Sequence, residues 1–337
     1  MTDGPGWASP DPQPERPPNY QQPPAYQPAP MPPPPGWGVP KPGVIPLRPL
    51  GVSEILDGAI STMRAHPKVI LGVSAIVATV SQVLTTVATY PLLDDINQSS
   101  QLGAQPTAEE VFDSVGASVG VLGITLAITL PIRVFLTGFL TIAVGKAVLG
   151  QPVTYGEVWS RVRPRFFALL GLTLVYPLVA GVAVGLVVLV ALAAGPVAIL
   201  LVLVMIGVGI WAYILFSLAT PALMLENAGI GRAFGRSRTL VRGKWWRVLG
   251  ITLLAAIIAG IVAAIIVVPF TLLSGGFSTP VEITFQYLLL TTIGGIIANT
   301  LTDPFAAGVG VLLYTDQRMR REGMDIELAR AAGITPP

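Results

Sequence analysis

The sequence predicts an all-α, polytopic membrane protein, and two observations carry that prediction. From Phe166 to Leu225 sixty residues pass without one charged side chain, interrupted only by a turn of small residues at 193–196. Because a helix needs about 20 apolar residues to cross roughly 30 Å of hydrocarbon, this stretch holds two spans and a tight connection. The whole chain is 52% hydrophobic and only 11% charged, which is typical of a protein that crosses the membrane several times.

Six apolar segments are predicted to span the membrane. They are residues 69–92, 119–145, 166–190, 196–225, 248–273 and 287–314. Helices fit these segments better than barrel strands do, because the segments are apolar on all sides and barrel strands alternate. Gly181 and Gly185, four residues apart in the third span, predict a close approach of two helices.

Basic and acidic residues alternate between successive connections. Basic residues lie before span one, between spans two and three, between spans four and five, and after span six. They are Arg64, Lys68, Lys146, Arg161, Arg163, Arg165, Arg232, Arg236, Arg238, Arg242, Lys244, Arg247, Arg318, Arg320 and Arg321. The opposite connections carry only acidic residues, namely Asp94, Asp95, Glu109, Glu110, Asp113 and Glu282. The positive-inside rule then predicts a cell-membrane protein with both termini in the cytoplasm. Anionic lipid headgroups, rather than nucleic acid, are the expected partners of these cations.

The residue types needed for catalysis or metal binding are scarce. The chain has no cysteine, and its single histidine, His66, precedes Pro67 at the start of the first span. No Ser/His/Asp set and no phosphate-binding glycine loop stand out, and the acidic connections lack histidine. We therefore expect no catalytic residue, no metal site, no cofactor and no enzymatic activity. The N-terminus also lacks the pattern of a cleaved signal peptide.

Residues 1–46 differ from the rest because they are dominated by proline. Such a segment buries too little apolar surface to fold, and we expect a disordered cytoplasmic tail. The tail has two interpretations: it docks in an aromatic-lined groove of a protein partner, or it is solvated without a fixed partner. A six-helix membrane domain is predicted over residues 47–328, followed by a short cytoplasmic tail at 329–337.

The membrane domain contains a threefold internal repeat. A short amphipathic helix and a Pro or Gly precede each odd-numbered span. The apolar faces of the three short helices consist of Ile55, Leu56, Ala59, Ile60 and Met63; of Val158, Trp159 and Val162; and of Ile230, Ala233, Phe234, Leu240 and Val241. We expect these helices to lie in the membrane interface with their apolar faces toward the acyl chains, so that each repeat is an interfacial helix followed by a transmembrane hairpin.

Three segments resemble a known family. They are 221–226 (PALMLE) with 233–247 (AFGRSRTLVRGKWWR), 46–58 (PLRPLGVSEILDG), and 312–328 (LLYTDQRMRREGMDIEL). This combination is similar to the membrane domain attached or related to glycerophosphoryl diester phosphodiesterases, in its actinobacterial branch. Mycobacterial members similar to this chain also carry a Pro-rich tail. The resemblance implies a membrane location and a fold but no reaction, because the catalytic domain of the phosphodiesterase has no counterpart here.

Arg133 and Asp303 are the only charged residues inside the predicted spans. Each lies thirteen residues before a residue at the inner end of its span, so both sit about 20 Å deep at 1.5 Å per residue. A mid-membrane charge costs at least about 2.5–3.5 kcal/mol, so we predict a buried Arg133–Asp303 ion pair. Asn299, Thr300 or Thr302 is expected to support it. The pair is either a structural lock between spans two and six or a polar site in a lipid or solute pathway.

The connection between spans four and five is the second candidate site. Its cations, together with two tryptophans, are predicted either to bind anionic headgroups or only to fix topology and anchor the interface. These cations are Arg232, Arg236, Arg238, Arg242, Lys244 and Arg247. The predicted function is that of an accessory or scaffold protein of the membrane. A transporter or lipid-handling protein with a polar site at Arg133 and Asp303 is the alternative.

Overall fold

The first repeat is built from three helices. In the computed structural model, which describes residues 44–46, 48–92, 107–194, 198–275 and 284–323, these helices are α1 (Val52–Ala65), α2 (Pro67–Thr89) and α3 (Ala108–Val148). The Glu54 carboxylate accepts the backbone N–H of Gly51 at 2.7 Å and caps the start of α1. Pro67 occupies the first position of α2, where its missing N–H costs no helical hydrogen bond.

The second repeat contains α4 (Tyr155–Val162), a 3₁₀ turn at Arg163–Arg165, α5 (Phe166–Ala194), α6 (Ala198–Phe216) and α7 (Ala219–Leu225). The fourth predicted span is therefore divided into two helices near its end. Pro221 explains the break, because its ring clashes with the carbonyl four residues earlier, at Ser217. The Ser237 hydroxyl satisfies the freed backbone groups by donating to the Leu215 carbonyl at 2.8 Å and accepting from the Leu218 N–H at 3.2 Å.

The third repeat contains α8 (Ile230–Val241), α9 (Trp245–Leu273) and α10 (Phe285–Glu322). Gly243 has φ +80°, a left-handed conformation that lets the chain turn sharply between α8 and α9. Gly323 ends α10 in the same conformation.

Within the described residues, six helical segments are long and apolar enough to cross a membrane. They are Pro67–Leu92, Ser118–Val148, Tyr155–Ala183, Leu201–Leu225, Trp245–Leu273 and Phe285–Glu322. The prediction of a six-span, all-helical membrane protein with three repeats is confirmed over the described residues. The predicted Pro-rich tail lies outside them except at its last residues, as do the C-terminal tail and the acidic connections around Asp94, Asp95 and Glu282.

α10 is the central helix and packs against α1, α2, α3 and α9. The short amphipathic helices turn their apolar faces toward this bundle, with Ile55, Ala59, Val158 and Leu240 fully buried. The expectation that these faces contact acyl chains is therefore wrong for most of their residues, although Ile60 and Trp159 remain exposed. Small residues explain the difference, because they let the short helices lie directly on the spans: a Cβ added at Gly308 of α10 would lie 3.0 Å from the Cβ of Ala59 in α1.

The predicted close approach at Gly181 and Gly185 is absent among the described residues, because a Cβ at either position would meet no described atom within 4 Å. The close approaches lie elsewhere. A Cβ at Gly138 would come within 2.5 Å of the Leu169 side chain, so α3 and α5 approach each other closely at this point.

Candidate functional site: an intramembrane cavity and a charged end

A cavity of about 600 Å³ lies within the bundle, between α3, α5, α6, α7, α9 and α10. Along α3 its wall extends from Leu126 to Thr141, about 22 Å at 1.5 Å per residue. Most of the lining is aliphatic. The volume falls within the range of about 300–1,000 Å³ that is usual for small-molecule sites.

The two ends of the cavity differ in how well they are covered. Toward the helix ends that carry the basic connections, Leu140, Leu169, Leu218 and Leu313 are almost completely buried and close the cavity. At the other end of the α3 wall, Leu126 is 36% exposed. The cavity is thus sealed near the basic end and less well covered at the end formed by Leu126.

Arg133 and Asp303 both line this cavity, and Arg133 lies about midway along the α3 wall between Leu126 and Thr141. They project from α3 and α10, which pack against each other, and Asp303 lies within electrostatic reach of Arg133. The ion pairs with N···O distances of 4.0 Å or less, among the residues that the structure describes, do not include these two side chains. The predicted direct ion pair is therefore replaced by two opposite charges that face one cavity without contact. Arg133 is exposed.

The supporting residues predicted for this pair do not lie on the cavity wall. The hydroxyls of Thr300 and Thr302 donate to carbonyls of their own helix, at Ile296 and Ala298, and Asn299 is also absent from the lining. Hydroxyl residues of other helices supply the polar atoms instead: Thr137, Thr141, Thr173, Tyr176, Tyr213, Ser217, Thr220 and Thr252. Sequence reasoning missed them because single hydroxyls occur throughout apolar helices, and only the packing shows which of them share a wall.

The six cations predicted to bind headgroups fall into two groups. Arg236 and Arg247 are partly buried and form ion pairs inside the protein. The other four, Arg232, Arg238, Arg242 and Lys244, are exposed and form no ion pair with any described residue. Only these four remain available to lipid headgroups.

Arg236 belongs to a charged cluster that ties α7, α8 and α10 together. Its guanidinium donates from Nε to Glu226 at 2.9 Å and from Nη2 to Glu322 at 2.6 Å. The hydrogen bonds to Glu322 and then to Glu226 raise the pKa of Arg236, so its charge is permanent. Arg318 pairs with Glu322 at 2.9 Å, and the Tyr314 hydroxyl donates to Glu226.

Arg247 belongs to a second cluster, which is centred on Asp316. This carboxylate is 0% exposed and accepts the Leu50 N–H at 2.9 Å, Arg320 Nε at 2.8 Å and Arg247 Nη2 at 3.1 Å. Both arginines also donate to the Leu50 carbonyl at 2.8 Å. Asp316 thus joins the segment before α1 to the end of α10.

No group of three or more His, Cys, Asp or Glu residues that could hold a metal ion occurs within the described part of the chain. Ion-paired arginines therefore account for the clustered carboxylates of the charged end.

The fold and the cavity define a multi-pass helical membrane protein with an intramembrane cavity that faces two unpaired charges. The chain belongs to the family described as a domain of unknown function, DUF7847, whose model matches residues 50–317. The matched region begins at Leu50 and ends next to Asp316, the two residues whose hydrogen bond closes the domain. Neither a curated protein nor a solved structure matches this chain.

Proposed function

We propose that this protein binds an anionic amphiphile, such as a lipid with a phosphate headgroup, in the cavity that Arg133 and Asp303 line. The proposal is carried by one observation: Arg133 is an exposed mid-span cation without a contacting carboxylate among the described residues, on the wall of a largely apolar cavity. An arginine in that position costs at least about 2.5–3.5 kcal/mol, so an anionic group that neutralises it is strongly favoured.

The geometry supports an amphiphile over a small inorganic ion. The lining beyond Arg133 combines leucine, alanine and valine side chains with single hydroxyls, and it closes at Leu140 and Leu313. An apolar chain fits against the leucines of the closed end, and a charged group fits beside Arg133.

Because Asp303 is also charged, the proposal predicts opposite effects on ligand affinity when Arg133 and Asp303 are neutralised. The Asp303 carboxylate shares the cavity with Arg133 and lies within electrostatic reach of it. When an anionic ligand occupies the cavity, Asp303 repels it. Removing the Asp303 charge is therefore expected to strengthen the binding of an anionic ligand, whereas removing the Arg133 charge weakens it.

The test uses fluorescent lysophosphatidic acid, with the matching uncharged monoacylglycerol as a control probe, on the full chain in detergent. Arg133→Gln is expected to weaken binding of the anionic probe roughly 10- to 100-fold, since a charged hydrogen bond contributes about 1.5–3 kcal/mol. Binding of the uncharged probe should change little. Asp303→Asn should tighten binding of the anionic probe.

Arg48→Gln, which changes an exposed arginine outside the cavity lining, serves as the matched control and should leave both probes unaffected. Equal affinity of the wild-type protein for the anionic and uncharged probes would contradict the proposal. Loss of anionic binding in Asp303→Asn would contradict the role given to that residue.

The proposal also includes the location, the partners and the relatives of the protein. The protein is placed in the cell membrane with both termini in the cytoplasm, on the strength of the basic connections. Anionic lipids are its partners at that face, through Arg232, Arg238, Arg242 and Lys244. It acts by binding rather than by catalysis, and its kinship extends to the membrane domains related to glycerophosphoryl diester phosphodiesterases, which the three quoted motifs support.

An accessory or scaffold role is the second candidate, and the Pro-rich segment 1–46 favours it. A proline-rich tail presents an extended ligand for aromatic-lined grooves. Purification in mild detergent with and without residues 1–46 tests this role. Proteins that copurify only with the full chain support a scaffold, whereas identical protein and lipid content in the two samples argues against it.

A further inference from the structure

A second apolar groove lies on the outside of the bundle, separate from the cavity of Arg133. It holds about 540 Å³ and runs between α2, α3, α4 and α5. Its walls include Ile76 and Val80 of α2, Phe135 of α3 and Phe166 of α5. Its polar residue is Arg163, in the 3₁₀ turn that links α4 to α5.

Arg163 differs from the two arginines nearest to it in the chain, Arg161 at the end of α4 and Arg165 in the same turn. Arg161 pairs with Glu157 at 3.3 Å, and Arg165 donates to the Leu223 carbonyl at 3.2 Å. The side chain of Arg163 is exposed and has no hydrogen-bond or ion-pair partner among the described residues. The arginine that lines the groove is therefore the one of these three whose guanidinium has no partner.

The inner end of the groove, at Val80, lies about half a bilayer from the start of α2. Val80 lies twelve residues after Lys68, the cation at the start of α2, and this distance is about 18 Å along the helix. Half of a hydrocarbon core of roughly 30 Å is similar in length. The Tyr155 hydroxyl donates to the Lys68 carbonyl, so the start of α4 and the start of α2 lie at the same depth.

Aromatic side chains form the wall of the groove next to Arg163. Trp159 is 51% exposed and packs edge-on against Phe135 with ring centroids 5.4 Å apart, and Phe167 is 79% exposed. Aromatic rings at this level are typical of the boundary between headgroups and acyl chains.

We infer that this groove is a binding site for one anionic phospholipid of the leaflet at the basic end. The lipid phosphate lies against the Arg163 guanidinium, and one acyl chain fills the slot between Val80, Phe135 and Phe166. The charge complementarity selects an anionic lipid over a zwitterionic one, because a single basic residue near the surface strengthens anionic binding roughly fivefold.

Trp159 supplies a reporter inside the groove. The chain has six tryptophans, so the other five, Trp7, Trp37, Trp211, Trp245 and Trp246, are replaced by Phe in the full chain. The protein is reconstituted in phosphatidylcholine vesicles with increasing amounts of chain-brominated phosphatidylglycerol or of chain-brominated phosphatidylcholine. Quenching of Trp159 by the bromine atoms measures which lipid occupies the groove.

We expect brominated phosphatidylglycerol to quench with an apparent affinity about fivefold higher than brominated phosphatidylcholine. Arg163→Gln should remove this preference, and Arg163→Lys should retain it, which shows that the variant site still folds. Arg161→Gln is the matched control, two residues away, and should keep the preference because Arg161 does not line the groove.

Three results would overturn the inference. These are equal quenching by the two lipids in the wild-type background, an unchanged preference in Arg163→Gln, and equal losses in Arg161→Gln and Arg163→Gln. The last result would assign the preference to the general positive surface rather than to the groove.

Discussion

The basic end of the bundle and its mid-span cavity differ in how their charged side chains are paired. At the basic end Asp316 and Glu226 each contact several donors, and all three acidic residues of the two clusters bind arginine. In the cavity Arg133 and Asp303 face the same space without contact. A buried charge is tolerated only with partners, so the first arrangement is typical of a structural cluster, and the second is the arrangement on which the proposed ligand site rests.

The largest effect is expected at Asp316. Asp316→Ala removes a fully buried carboxylate and leaves Arg247, Arg320 and the Leu50 N–H without their acceptor. We expect the free energy of unfolding to fall by about 3–5 kcal/mol, as is usual when one partner of a buried pair is lost. Unfolding by SDS in mixed micelles, followed by circular dichroism, measures it. The exposed Asp57 provides the control, and an Asp57→Ala protein should unfold like the wild type.

A smaller effect is expected where α1 crosses α10. Gly308→Leu forces a side chain against the Cβ of Ala59 at 3.0 Å and its Cα at 3.2 Å, so α1 must move away. Overpacking of this kind costs about 1–3 kcal/mol in the free energy of unfolding. Gly260→Leu on α9 is the control, since a Cβ there meets no described atom within 4 Å. Equal stability of the two variants in the same SDS titration would show that the helices do not pack closely at Ala59.

A third comparison separates the two groups of loop cations. Arg236→Gln should lower the free energy of unfolding by about 1.5–3 kcal/mol, because Arg236 donates charged hydrogen bonds to Glu226 and Glu322. Arg238→Gln should leave stability unchanged, since Arg238 is exposed, and should instead weaken binding to phosphatidylglycerol vesicles. The division fails if Arg238→Gln destabilises the fold as strongly as Arg236→Gln.

The sequence predicted the elements of the fold better than their contacts. Apolar length and charge placement are local properties, so six spans, three repeats and the special position of Arg133 and Asp303 could be read directly. The pairing of Arg247 with Asp316 could not, because it depends on how residues 69 positions apart meet across α9 and α10. The cavity-lining hydroxyls of Thr137 and Thr252 were equally hidden, since their importance arises only from the face on which each one lies.

The smallest effect is expected between Arg133 and Asp303, and it decides between a lock and a binding site. A double-mutant cycle of Arg133→Leu and Asp303→Leu measures their coupling in the free energy of unfolding. Because no direct contact joins the two side chains, we expect the effects to add within about 0.3–0.5 kcal/mol in ligand-free protein. A structural lock predicts instead that each single change damages folding and that the double variant recovers, with a coupling above about 1 kcal/mol. Repeating the cycle with saturating lysophosphatidic acid adds a second criterion, because only proteins that keep Arg133 should be stabilised by the ligand.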